Sequence, residues 1–186
     1  MIGPFEFDKR TTDAQRDAVK PVLIALDAVI GSLIEPVTIW FRPPEKMPFY
    51  APRKRAYGLW HGYEPLRNRR EIWLRNDIAQ DPNEAKKLLA HEVVHVLDDD
   101  YMNRDQRRDA IKLMHPQPDK WRDTVINGKD YGYPATPFET FAVYGSTALV
   151  DFVSLGASSD KPAYTGIFMR SVDEADWPKL RQVILS

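Results

Sequence analysis

The hydrophobic residues between Thr12 and Leu33 recur at helical spacing and predict a first α-helix. Thr12 can accept a hydrogen bond from the first turn, and Glu35-Pro36 ends the segment. Pro21 either kinks this helix or marks its true start. The apolar stripe consists of Val22, Leu23, Leu26, Val29, Ile30 and Leu33.

Three later segments are rich in β-branched and aromatic residues and predict strands. They are Val37–Phe41, Ala56–His61 and Arg70–Arg75. In the last segment Ile72 and Leu74 alternate with Glu71, Trp73 and Arg75, which is typical of a strand with one solvent-exposed face. Residues 43–55 between the first two are rich in proline and predict a loop.

The next segment is apolar on almost every side and predicts a buried helix that runs to about Asp98. Asp81 can cap it, Pro82 suits its first turn, and Glu84 completes a capping box. The apolar positions are Leu88, Leu89, Ala90, Val93, Val94, Val96 and Leu97. Such a helix is expected in the middle of its domain.

The second half of the chain predicts more helices. They cover Arg104–Met114, Thr136 to about Val153, and a C-terminal stretch opened by Ser171–Glu174, while 115–135 looks irregular. We therefore predict a single α+β domain over residues 1–186. A small twisted sheet of three or four strands packs on the buried helix, and the C-terminal half is helical.

The buried helix carries the segment His91-Glu92-Val93-Val94-His95, an HExxH motif. Histidines four residues apart are turned by about 40° and separated by roughly 6 Å along a helix, so both imidazoles can reach one ion. Neutral imidazole suits zinc. Glu92 lies about 100° round the helix and can take a proton from a zinc-activated water. In the competing interpretation both histidines are hydrogen-bonded within the core and Glu92 is paired to an arginine. Burying three polar residues in this way is costly unless each has a partner.

A zinc site needs a third protein ligand. The metzincin pattern would place a histidine six residues after the motif, where the chain has Tyr101. His61 and His115 lie in turn-like surroundings, so Glu139, in the first turn of the next long helix, is the preferred candidate. The alternative for Glu139 is structural, because it also forms a capping box with Thr136.

Other residues near the motif can support such a site. Asp98 and Asp99 belong to an acidic run at a helix C-terminus, where negative charge is unfavourable, and are predicted to orient the imidazoles. Tyr133 is the candidate donor to an oxyanion, with Tyr131 and His115 as alternatives. Simple packing remains the competing explanation for each of these three.

The motif helix followed by a second helix with Glu139-Thr140-Phe141-Ala142 resembles the gluzincin branch of the zinc metallopeptidases. The small bacterial and phage proteins of the ImmA/IrrE-like group are the nearest likeness, over about residues 37–150. This resemblance implies a zincin-like fold and one Zn²⁺ on the motif histidines and Glu139. It also implies peptide hydrolysis, with Glu92 as the general base.

The resemblance further implies where a peptide or protein substrate binds. In that family the strand before the motif helix forms the edge of the sheet and pairs with an extended peptide. In this chain that strand would be Arg70–Arg75, so Trp73 and Arg75 are the predicted substrate contacts.

The composition and net charge of the chain limit the classes of function that it can have. The chain has 186 residues and a net charge of −1, from 26 basic and 27 acidic side chains, so no global attraction to nucleic acid is expected. The absence of cysteine excludes disulfides and thiolate metal sites. With no recognisable signal peptide or membrane span, a cytoplasmic protein is expected, and a phage-encoded origin fits the resemblance.

Two rival functions stay open. A non-catalytic zincin-fold protein, such as a phage component, could keep the zinc site for stability or binding. A DNA-associated protease could use the basic clusters Arg53–Arg55 and Arg67–Arg70, although a solvated hairpin face is favoured for them. Trp40, Trp60 and Trp73 are predicted as core or cleft wall rather than base-stacking platforms.

Overall fold

The computed structural model describes residues 1–51, 54–64, 69–114, 137–157 and 176–186. Within these ranges β1 and α1 are followed by a run of strands and then by a run of helices, as expected of an α+β protein. The helices are α1 (Asp13–Ile30), α2 (Pro82–Asp100), α3 (Arg104–Met114), α4 (Pro137–Leu149) and α5 (Trp177–Leu185). The strands are β1 (Phe5–Phe7), β2 (Val37–Arg42), β3 (Phe49–Ala51), β4 (Lys54–Arg55), β5 (Gly58–Glu64) and β6 (Arg69–Arg75).

Four of the strands form a mixed sheet in the order β1-β2-β6-β5. The first three are parallel, and β5 runs antiparallel to β6. The prediction that Arg70–Arg75 forms the sheet edge is therefore wrong. The residues of β6 pair with β2 on one side and with β5 on the other, because β5 folds back on β6 as a hairpin. Among the described strands, β5 forms the edge on that side.

The two faces of the sheet differ in what covers them. The apolar residues of β2 and β6 on one face are buried in the same core cluster as α1 and α2: Val37, Ile39, Ile72 and Leu74. Side chains alternate between faces along a strand, so Trp40 and Trp73 lie on the opposite face. They are paired directly across the two strands.

Helix α2 is the centre of the domain, as predicted. Its start is capped by Asp81, whose Oδ1 accepts from the backbone N–H groups of Asn83 at 3.0 Å and Glu84 at 3.2 Å. Helices α1 and α4 and strand β5 all pack against it. Every residue from Ala85 to Val94 is buried, so the motif lies inside the protein rather than on a surface helix.

The structure corrects several boundaries. Strand β1 was not predicted, because three residues carry too little alternation to be recognised. The predicted loop at 43–55 contains the two-stranded sheet of β3 and β4. Helix α1 begins after Thr12, keeps Pro21 in its interior and ends at Ile30. Helix α4 ends four residues before the predicted Val153.

Some predicted segments lie outside the described residues, namely 115–135 and the helix start at Ser171–Glu174. The C-terminal helix itself is present as α5. None of the helices in the described ranges is both long enough and apolar enough to cross a membrane.

Candidate functional site

The two motif histidines converge on one point. Their Nε2 atoms lie 3.2 Å apart, and their rings are nearly perpendicular at 84°. His91 is 2% exposed and His95 is partly buried. Two nitrogens bound to a tetrahedral zinc at ~2.0–2.1 Å would be separated by roughly 3.3 Å. The spacing therefore fits a shared ion, and it also fits a hydrogen bond between one protonated and one unprotonated ring nitrogen.

Glu92 points toward the edge strand. It is 2% exposed, and its Oε1 atom lies 2.4 Å from where a Cβ on Gly58 would be. Gly58 is the first residue of β5 and is itself buried. The carboxylate of the predicted general base thus lies against the backbone of the edge strand, where β5 begins.

No third metal ligand joins the two histidines among the side chains that the structure describes. Among them no group of three or more His, Asp or Glu residues converges to hold a metal. Position 139 is the third residue of α4, and its side chain lies outside this set, as do Tyr131, Tyr133 and His115. Helix α4 does cross α2 beside the motif, because a Cβ on Gly145 would lie 3.0 Å from Cγ1 of Val94.

The predicted substrate contacts are directed away from the motif. The Trp73 indole Nε1 donates to Glu71 at 2.8 Å, and the Arg42 guanidinium lies 3.6 Å from the Trp73 ring centre. His61 stacks on the same ring at 4.4 Å, so it also lies on the face remote from α2. Arg75 forms an ion pair with its neighbour Asp77. Because β6 lies inside the sheet, the assignment of Trp73 and Arg75 to an edge strand is wrong, and their contact with a substrate stays a prediction.

Asp98 is hydrogen-bonded to the neighbouring helix α3, while its charge also interacts with His95. Nε of Arg107 on α3 donates to Oδ1 of Asp98 at 2.6 Å, and the same guanidinium bonds the Asp98 carbonyl. Burial raises the pKa of Asp98 above its ordinary value, while the Arg107 hydrogen bond and charge oppose that rise. Within the described residues its hydrogen bonds go to Arg107 rather than to His91 or His95.

The two remaining aspartates tie the end of α2 to the sheet. The Trp60 indole on β5 donates to Oδ2 of Asp99 at 2.5 Å. Asp100 forms an ion pair with Arg70 on β6, and the Arg70 guanidinium lies 5.5 Å from the Trp60 ring centre. The acidic run thus anchors the strand hairpin to the motif helix, which differs from the predicted role of Asp99 beside the histidines.

The described members of the basic clusters also have structural contacts. Arg55 donates to the Met47 carbonyl at 2.5 Å and lies 4.1 Å from the Phe49 ring centre. Arg70 is occupied by Asp100. These contacts give both arginines a role in folding the hairpins.

Replacing Arg107 with Met is expected to destabilise the protein by about 1–3 kcal/mol, since a buried carboxylate loses its donor. The raised pKa means that the folded state binds a proton more tightly than the unfolded chain does. Stability from this group is therefore present below the ordinary pKa of 3.8 and is lost as the pH rises through the higher folded value. Without Arg107, the loss of stability between low and neutral pH should be larger.

Chemical denaturation at pH 4 and pH 7 measures this effect, and the deficit of Arg107→Met should be larger at pH 7. Arg108→Met is the matched control. Its side chain is 60% exposed and, among the described residues, pairs with Asp105 and Asp109, so little change is expected. Equal losses for the two variants at both pH values would contradict the prediction.

Sequence reasoning missed Gly58 as a residue of the site, and it predicted Trp60 only as core or cleft wall, without its hydrogen bond to Asp99. Both lie on β5, and both pair across the hairpin with core residues of β6: Gly58 with Leu74, and Trp60 with Ile72. A glycine inside a predicted strand is a signal for close approach by another group. That signal could have identified Gly58, but not Glu92 as the group it meets.

Comparisons of the chain with protein-family models, with curated proteins and with solved structures found no match. The functional conclusion therefore depends on the geometry of α2 and β5. The features to be explained are the close approach of the His91 and His95 imidazoles and the buried Glu92 carboxylate beside β5.

Proposed function

We propose that the chain is a zinc-dependent metallopeptidase of the zincin type. The observation that carries this proposal is the 3.2 Å separation of the His91 and His95 Nε2 atoms inside a buried helix. An ion that both rings bind would account for this separation. Glu92, also buried, supplies the base that this chemistry requires.

His91, His95 and Glu139 would hold the zinc. When bound, zinc polarises the scissile carbonyl and lowers the pKa of its bound water to roughly 7. Glu92 accepts the proton of the attacking water and passes it to the leaving amine. Burial of Glu92 keeps bulk water from competing for this proton. Tyr133 stays the proposed donor to the oxyanion.

The substrate is proposed to bind at β5 rather than at β6. In the described part of the sheet β5 pairs with β6 on one side only, so its other edge offers backbone donors and acceptors to an extended peptide. The strand begins beside Glu92 and is tied to α2 by the Trp60–Asp99 hydrogen bond. A peptide paired with β5 would thus run past the base.

A peptide library incubated with the zinc-loaded protein tests the proposal. We expect cleavage products by mass spectrometry, their loss with a chelator, and their return when zinc is restored. A protein that binds one zinc per chain but cleaves no peptide would contradict the peptidase and support the non-catalytic zincin-fold alternative. A protein that binds no zinc would contradict both the peptidase and the non-catalytic alternative with a zinc site.

A further inference from the structure

Gly58 leaves no room for a side chain beside the proposed base. A Cβ at this position would lie 2.4 Å from Oε1 and 3.0 Å from Cδ of Glu92. Heavy atoms that are not bonded do not approach a Cβ as closely as the first of these distances. With any other residue at position 58, the Glu92 carboxylate has to move.

We propose that Gly58 is a positioning residue for Glu92. Because it lacks a side chain, the β5 backbone can lie directly over the carboxylate and limit where it can go. The base is then held beside the strand edge at which a peptide would pair. The catalytic meaning of this inference rests on the proposed peptidase function, but the control of the carboxylate position does not.

The atoms around Gly58 indicate that its role is local. The third close contact of the added Cβ would be Cδ1 of Leu88, at 2.9 Å. Glu92 Oε1 and Leu88 Cδ1 are both ends of flexible side chains, so a methyl group can be accommodated without moving backbone. Glycine in a strand is otherwise unfavourable, because it lowers the stability of the folded chain relative to alanine. Glycine at position 58 thus lowers the stability of the strand but leaves the space that the Glu92 carboxylate occupies.

The first test measures stability and needs no substrate. Gly58→Ala is compared in the natural sequence and in a Glu92→Ala background, by thermal unfolding. We expect Gly58→Ala to lower Tm in the natural sequence. In the Glu92→Ala background the colliding carboxylate is absent, so the same change should lower Tm less or raise it. The two effects should differ by about 2–4 °C or more.

Gly145→Ala is the matched control for this comparison. Its added Cβ would also press on α2, at 3.0 Å from Val94 Cγ1, but on a different side chain from Glu92. Its effect on Tm should be the same in both backgrounds. If Gly58→Ala also has the same effect in both, the carboxylate is not what meets the new methyl group, and the proposal is overturned.

The second test uses the zinc-loaded protein and a peptide that the natural sequence cleaves. Displacing a catalytic group by about 1 Å can lower the reaction rate ~10²-fold, so Gly58→Ala should lower kcat by about that factor. KM and zinc content should stay nearly unchanged. In a Glu92→Gln background Gly58→Ala should have no further effect on kcat, since it acts through the lost base.

The outcomes separate this inference from the proposed function. If Gly58→Ala keeps full kcat while Glu92→Gln loses it, positioning by Gly58 is wrong and the peptidase stands. A change confined to KM would also overturn it, because Gly58 would then act on the substrate strand. If Glu92→Gln keeps full activity, the peptidase mechanism fails, while the stability comparison still decides whether Gly58 controls the carboxylate.

Discussion

Replacing Glu92 with Gln is expected to reduce peptide cleavage by about 10²–10⁴-fold and to leave the zinc content unchanged. The amide has nearly the same shape as the carboxylate, so the packing beside Gly58 should survive. It cannot accept the proton of the attacking water at neutral pH. The effect should therefore be seen in kcat, with KM and the binding of zinc close to those of the natural protein.

The measurement is steady-state cleavage of a library-derived peptide together with metal analysis of the same samples. Glu84→Gln is the matched control, because Glu84 lies on the same helix, in its first turn, and is close to Lys87. It should keep full activity. Equal activity of Glu92→Gln and the natural protein would remove Glu92 as the base and, with it, the proposed mechanism.

Removing either motif histidine is expected to abolish stoichiometric zinc binding. Loss of a residue that merely orients a ligand costs roughly 10–100-fold in metal affinity, and loss of a ligand itself should cost more. His91→Ala and His95→Ala should therefore lose zinc in competition with a chromophoric chelator. His61→Ala should keep it, because His61 is exposed and stacks on Trp73 instead.

The same assay separates the two interpretations of Glu139. Gln can replace Glu in a capping box but is a poorer zinc ligand. If Glu139 is a ligand, Glu139→Gln should weaken zinc binding and leave the unfolding of the metal-free protein unchanged. If it only caps its helix, zinc binding should be unaffected. A natural protein that binds no zinc would instead favour a hydrogen bond between His91 and His95.

The parts of the fold that depend on local interactions were predictable. Helix α2 has a capping residue, a proline in its first turn and apolar positions all round, and each of these acts within a few residues. The capping box of α1, between Thr12 and Gln15, is equally local. Strands β2, β5 and β6 were found from their composition within a few residues of their ends. Strand β1 was missed, because its stability comes from pairing with β2.

The contacts that sequence reasoning did not foresee join α2 and the sheet strands to other elements of the fold. Asp98 and Asp99 were assigned to the histidines because they are close in sequence. Their observed partners are Arg107, which is close to Asp98 in sequence but on another helix, and Trp60, which lies 39 positions away. Trp73 was assigned to an edge because its strand precedes the motif helix. Chain order does not determine which strands become neighbours in a sheet.

By itself, the amino-acid sequence determined the HExxH spacing, the helix that carries it and the burial of that helix. These follow from a helical period of 3.6 residues and from the cost of exposing apolar surface. Only the tertiary structure decided that β5 is the edge strand, that Gly58 faces Glu92, and that the acidic run anchors β5 and β6. These features depend on which surfaces meet when the sheet closes on α2, and long-range packing, not local pattern, determines that.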